Sequence, residues 1–231
     1  MARFLLIHGS CHGAWCWRDV LPVLHDAGHQ ATAIDLPGHG ACATPLAQIT
    51  LDLYADAIVA AMPGPTILVG HSMAGYPITA AAERAPENIV KLIYVCAYVP
   101  QSGLSLADMR RQGPSQPLLE AIETAPDRAS FTFRPDMAQA KFYHDCPPGT
   151  LEYALPRLTP QAIKPQATAL MLTPRSQAIP KRYIRCMDDR AIPPAYQVTM
   201  SQGWADTADL PCSHSPFFAM PQALARLLMA Q

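Results

Sequence analysis

Short apolar runs alternate with longer stretches of helix-like composition over the first hundred residues, a rhythm that signals successive βα units and a mostly parallel sheet. The pattern predicts strands at about 3–8, 30–35, 66–71 and 90–96, with helices at about 17–27, 51–61 and 73–85. After Pro100 it breaks. From Gln101 to about Gln166 the chain is polar, interrupted by proline and without a long strand, yet it holds apolar clusters such as Phe131-Thr132-Phe133 and Phe142-Tyr143. A stretch of that length inside a compact fold reads as a helical insertion rather than a bare loop, placed as a cap over the site. The rhythm resumes with a strand at about 182–187, a helix at about 194–202, a short strand near 204–208 and a closing helix from Gln222 to Ala230. The expectation is one α/β domain over residues 1–231 with a cap at about 101–166.

Composition narrows the partner. Half of the 231 residues are hydrophobic, 15% are charged and the formal net charge is −1, so the chain carries neither a nucleic-acid footprint nor an acidic tail. A small, neutral molecule is the expected partner, with no nucleic acid and no membrane. The opening apolar run, Phe4 to Ile7, stops at His8-Gly9, far short of a signal-peptide core or a membrane span, which leads to a cytoplasmic expectation. Seven scattered cysteines, with no Cys-x-x-Cys pair, suggest neither a disulfide framework nor a zinc site. Most of the 24 prolines gather between Pro100 and Pro194, where turns and short helices are expected.

The chemistry begins at Gly70-His71-Ser72-Met73-Ala74-Gly75, between the apolar run Thr66-Ile67-Leu68-Val69 and a helix-like stretch. A serine with small residues two positions to either side, at a strand-to-helix junction, is the pattern of a nucleophile elbow. The turn strains the serine backbone and leaves no room for bulky neighbours. Ala74 stands where glycine is commoner. A serine hydroxyl needs an imidazole to take its proton and a carboxylate to hold the imidazole, in the chain order nucleophile, acid, histidine. Beyond the elbow helix only His144 and His214 remain, and His214 lies in the loop before the closing helix, where the base belongs. The exit of the strand at 90–96 contains no carboxylate, so the acid falls to Asp188 or Asp189, which spacing alone does not separate. Asp206 and Asp209 read as exposed strand-end residues. The oxyanion donors are assigned to the amides of Met73 and of Ser10, with Gly9 keeping the first loop close to the substrate. His8, His12, Trp15 and Trp17 read as packing near the pocket mouth rather than as metal ligands, His39 as structural, and His71 as facing away and bracing the elbow.

These residues resemble those of the plant methylesterase and hydroxynitrile lyase branch of the α/β-hydrolase superfamily. The likeness runs through Phe4 to Trp15, Gly28 to Leu36, the elbow, Lys141 to Pro148, Tyr183 to Asp189 and Ile192-Pro193, nearly the whole chain. It implies an α/β-hydrolase fold and places the acid on Asp189, the second acidic residue of a Cys-x-Glu-Asp-like stretch followed by a basic residue. The lyases carry a threonine after the first-strand histidine and a lysine after the catalytic histidine. Here those positions are Gly9 and Ser215, and a neutral hydroxyl cannot supply the charge that a leaving cyanide needs. The expectation is therefore a cofactor-free esterase acting on small, largely apolar carboxylic esters. A cyanohydrin lyase and a ligand receptor on the same fold are the alternatives, and the apolar content of the cap allows a homodimer.

Overall fold

The computed structural model describes residues 1–230. The four early strands form as β1 (Arg3–Ile7), β2 (Gln30–Ile34), β3 (Thr66–His71) and β4 (Ile89–Val95). Between β4 and the late strands lie β5 (Ile122–Thr124), β6 (Ser130–Phe133) and β7 (Gln161–Ala162), followed by β8 (Lys181–Cys186) and β9 (Thr207–Leu210). The main sheet has the order β2-β1-β3-β4-β8-β9, and every pairing in it is parallel. Successive residues of a strand face opposite sides of the sheet, so each strand feeds two cores. Leu5, Ile7, Leu68, Leu92, Tyr94 and Tyr183 pack with Tyr54, Ile58, Tyr76 and Ile78 from the helices Leu51–Ala60 and Gly75–Arg84. Phe4, Leu6, Val69, Ile93 and Ile184 pack on the other side with Leu24, Phe217, Leu224 and Leu228, and with Phe131, Phe133 and Phe142.

Element boundaries differ from expectation where proline and local turns intervene. The helix expected over 17–27 is a 3₁₀ turn at Ala14–Trp17 followed by a helix only at Leu21–Asp26, whose first turn holds Pro22, a residue with no N–H to give an earlier turn. The last strand lies at 207–210 rather than 204–208, because the chain first turns through Trp204, which packs edge-on against Tyr94 and Tyr183.

The segment expected to be helical is mixed. It contains the helices Leu106–Gln112, Pro135–Phe142, Thr150–Ala154 and Lys164–Ala167, and also an antiparallel sheet in the order β5-β6-β7. Its strands are two to four residues long. Alternation over so few residues is too short to be told from loop sequence. β6 turns Phe131 and Phe133 inward, which explains the aromatic cluster. No helix among the described residues is long and apolar enough to cross a membrane.

Candidate active site

The elbow is built from close approaches. Ser72 sits at φ +57°, the left-handed region that a non-glycine residue enters only when its surroundings hold it there. A side chain at Gly70 would place its Cβ 2.8 Å from Ile78 Cδ1 and 2.9 Å from the Ala74 carbonyl oxygen. At Gly75 a Cβ would stand 1.9 Å from the carbonyl oxygen of Tyr98. The glycine requirement has moved one place along the chain: Ala74 fits, and Gly75 carries the contact between the elbow helix and the exit of β4. Tyr98 in turn donates its backbone N–H to the Ser72 carbonyl at 3.1 Å.

Three side chains far apart in sequence meet at this turn. His214 Nε2 is 2.9 Å from Ser72 Oγ, and His214 Nδ1 is 2.7 Å from Asp189 Oδ2. All three residues are buried. Asp189 accepts four hydrogen bonds. Its Oδ1 takes the N–H groups of Ala191 and Ile192 at 2.7 and 2.9 Å, and its Oδ2 takes Gln197 Nε2 at 2.8 Å besides His214. Gln197, fully buried on the helix Pro194–Met200, also receives the Cys186 N–H on its Oε1 at 2.9 Å. It thereby ties the carboxylate to the end of β8, and sequence reading had passed over it. A polar residue on the buried face of a short helix was the available signal.

Asp188 points the other way. Its carboxylate is exposed and lies 3.0 Å from His144 Nε2, so both residues that competed for a place in the series pair with each other outside it. Asp206 pairs with Arg182 and Lys91, and Asp209 with Arg185, at strand ends on the sheet edge.

The loop carrying His214 is held from several sides. Asp145 accepts the Ser213 N–H at 2.7 Å, and the Phe142 carbonyl accepts the Ser213 hydroxyl at 3.2 Å. His71 does not face away from the site. Its Nε2–H donates to the His214 carbonyl at 2.8 Å, its ring stands 4.6 Å from that of His214, and it lines the pocket. Burial, with repulsion from His214 and His12, holds His71 well below the ordinary histidine range, so it stays neutral.

The first loop is set by a second neutral histidine. His8 Nδ1 lies 2.8 Å from the Gly9 carbonyl, and the Leu36 N–H donates to His8 Nε2 at 3.1 Å. These partners fix an Nδ1–H tautomer, and burial lowers the His8 pKa to about 4. The Gly9 carbonyl belongs to the peptide whose N–H is that of Ser10, so His8 sets the direction of that amide. Gly9 itself packs against the elbow: a Cβ there would stand 2.8 Å from His71 Nδ1 and 2.9 Å from Ser72 Cβ. Its smallness lets the first loop pack directly on the turn. The Ser10 hydroxyl accepts from Gln166 Nε2 at 2.8 Å, a link to the helix Lys164–Ala167. His12 donates from Nδ1 to the Ser10 carbonyl at 2.8 Å, accepts the Tyr143 hydroxyl at 2.7 Å, and is lowered to about 3 by burial. His39 bridges the Thr159 hydroxyl and Tyr54.

Gly9, Ser10, Ser72, Met73 and His214 line one pocket, whose other walls are largely apolar and come from Leu118, Ile122, Phe131, Phe133 and Phe142. Ser215, the position where a lyase-like cation would stand, is fully buried and is not among the pocket walls. His71, Cys96 and His214 bring donor atoms within 4.8 Å of one another. Both His214 nitrogens and His71 Nε2 already hold hydrogen bonds, so that group is organised around the serine rather than around an ion. All seven cysteines are free thiols.

The alpha/beta hydrolase family model matches residues 4–227. The chain belongs to that family. Methylesterase 18 of Arabidopsis thaliana is 31% identical over 98% of this chain and 95% of its own length, and methyl jasmonate esterase 1 of Vitis vinifera is 29% identical over 98% and 95%. Among solved structures, a pyrethroid hydrolase from Sphingobium faniae JZ-2 superposes with a TM-score of 0.86 at 26% identity, covering 97% of this chain and 94% of that one. Within the family the chain falls in the plant methylesterase-like branch, and it is a carboxylic ester hydrolase.

Proposed function

We propose that the protein cleaves small, largely apolar carboxylic esters through an acyl-enzyme formed on Ser72. The observation that carries this reading is the unbroken series from Ser72 Oγ to His214 Nε2, and from His214 Nδ1 to the Asp189 carboxylate, at the floor of an apolar pocket. Ser72 Oγ attacks the acyl carbon as its proton passes to His214 Nε2, and the carbonyl oxygen becomes an oxyanion facing the amides of Ser10 and Met73. Collapse expels the alcohol, which takes the proton from His214. Water then enters, gives its proton to the same nitrogen and releases the acid, with Ser72 reprotonated. Asp189 keeps the proton on Nδ1 and stabilises the imidazolium that forms in each half of the cycle. Similar proteins named for methyl esters support an ester with a small alcohol.

The two aspartates separate this reading from a looser one. Asp189→Asn should lower kcat for p-nitrophenyl acetate by about 10⁴-fold, since the amide can offer its NH₂ and hold the histidine in the wrong tautomer. Asp188→Asn, which alters an exposed pair with His144, should change it by less than about threefold. Equal losses in the two variants would contradict the assignment.

A further inference from the structure

Arg110 stands in the wall of the same pocket without a partner. It lies on the helix Leu106–Gln112, started by a capping box at Ser105. Leu106 and Arg110, one turn apart, both line the pocket, while Met109 between them is buried in the core. The acidic residue of that helix is turned away. Asp108 pairs with Arg111 at 2.5 Å and accepts the Ser105 hydroxyl and amide at 2.6 and 3.0 Å. Arg110 has no ion-pair partner among the described residues, and its Nε is buried with no hydrogen-bond partner. Its charge reaches Tyr98, another lining residue, whose hydroxyl burial pushes up and Arg110 pulls back.

Arg110 as a whole is only half-buried, so its charge is not sealed from water, but a guanidinium set beside apolar walls with no protein anion gains when an anion enters with the ligand. No Lys and no second Arg lines the pocket, so the site matches a single negative charge better than a phosphate dianion. We propose that Arg110 receives a free carboxylate of the substrate, and that the preferred substrates are half-esters: one carboxyl esterified and presented to Ser72, the second ionised and held by Arg110, with an apolar chain between. This rests on the ester-hydrolase reading above and names the substrate class for it. The planar fork of arginine suits a carboxylate, which it can hold by two parallel hydrogen bonds.

The test compares monomethyl esters of glutaric, adipic and suberic acid with their neutral isosteres, in which the free carboxyl is a primary amide, and measures p-nitrophenyl acetate alongside. For at least one chain length the half-ester should show kcat/KM at least about tenfold above its amide, the lower end for a hydrogen bond to a charged group, with the gain mainly in KM. Arg110→Met, which keeps an unbranched side chain and removes the charge, should bring that ratio close to one. No preference at any length in the unaltered protein, or a ratio that survives Arg110→Met, would overturn the assignment while p-nitrophenyl acetate turnover leaves the hydrolase reading standing. Absence of turnover with every ester would remove both.

Discussion

Replacing His214 with alanine is expected to lower kcat for p-nitrophenyl acetate by about 10⁴- to 10⁶-fold, the range seen when one member of a serine-histidine-carboxylate unit is removed. The magnitude follows from how many steps share that nitrogen. His214 Nε2, 2.9 Å from Ser72 Oγ, is the proton acceptor during attack, the donor to the leaving alcohol and the base for the incoming water. No other imidazole can take over. His71, the nearest ring, has a free Nδ1, but burial holds it well below the ordinary histidine range and makes it a poor proton acceptor, and His12 is held between the Ser10 carbonyl and the Tyr143 hydroxyl. His214→Ala combined with Ser72→Ala should cost little more than either alone, because the two act as one unit. Full additivity in stopped-flow and steady-state assays would show that the two residues serve separate steps.

The second large effect is on stability. His8, His12, His39 and His71 are buried and their pKa values are depressed, first by burial in every case. Above pH 7.5 both folded and unfolded chains carry these rings neutral, and they contribute nothing to the pH dependence. As the pH falls through about 6.5, the unfolded chain begins to bind protons that the folded chain refuses until near pH 4 for His8 and pH 3 for His12. The unfolded state therefore binds more protons in this window, and stability falls with acidification. At pH 5.5 each ring should cost about 1.4 kcal/mol, and four together about 5.5 kcal/mol, comparable with the whole stability of an ordinary domain of roughly 5–15 kcal/mol. Urea unfolding at pH 7.5 and at pH 5.5 measures the difference directly. An unchanged midpoint would mean that the rings are protonated in the folded state, and the tautomers assigned to the loop around Ser10 would be wrong.

What could be read in advance depended on how local the signal was. β1, β3 and β4 were legible because their apolar runs sit in the middle of a sheet covered on both faces, and the elbow because strand, turn and helix are contiguous. The order of nucleophile, acid and histidine follows from topology, since each comes from a loop at one end of the sheet. Asp188 and Asp189 could not be told apart by spacing, because the difference lies in which carboxylate meets the amides of Ala191 and Ile192 and the side chain of Gln197. The three short strands between β4 and β8 were missed because each is only two to four residues long, and β7 becomes a strand by pairing with β6 across some thirty residues rather than by its own pattern. Arg110 escaped notice for a related reason: in sequence it is one of two adjacent arginines, and only the fold sends Arg111 to Asp108 and leaves Arg110 in the pocket wall. Gly75 was read as the end of a motif, whereas the carbonyl of Tyr98 makes it a steric necessity.

The central claim is that Ser72 forms the covalent intermediate, and trapping that intermediate tests it most directly. The protein is mixed with p-nitrophenyl acetate, quenched in acid within milliseconds and examined by intact mass and peptide mapping, beside Ser72→Ala and His214→Ala. The account predicts one acetyl group per chain, on Ser72, and none above background in either variant. Ester turnover with the acetyl group on another residue, or undiminished turnover by Ser72→Ala, would contradict it.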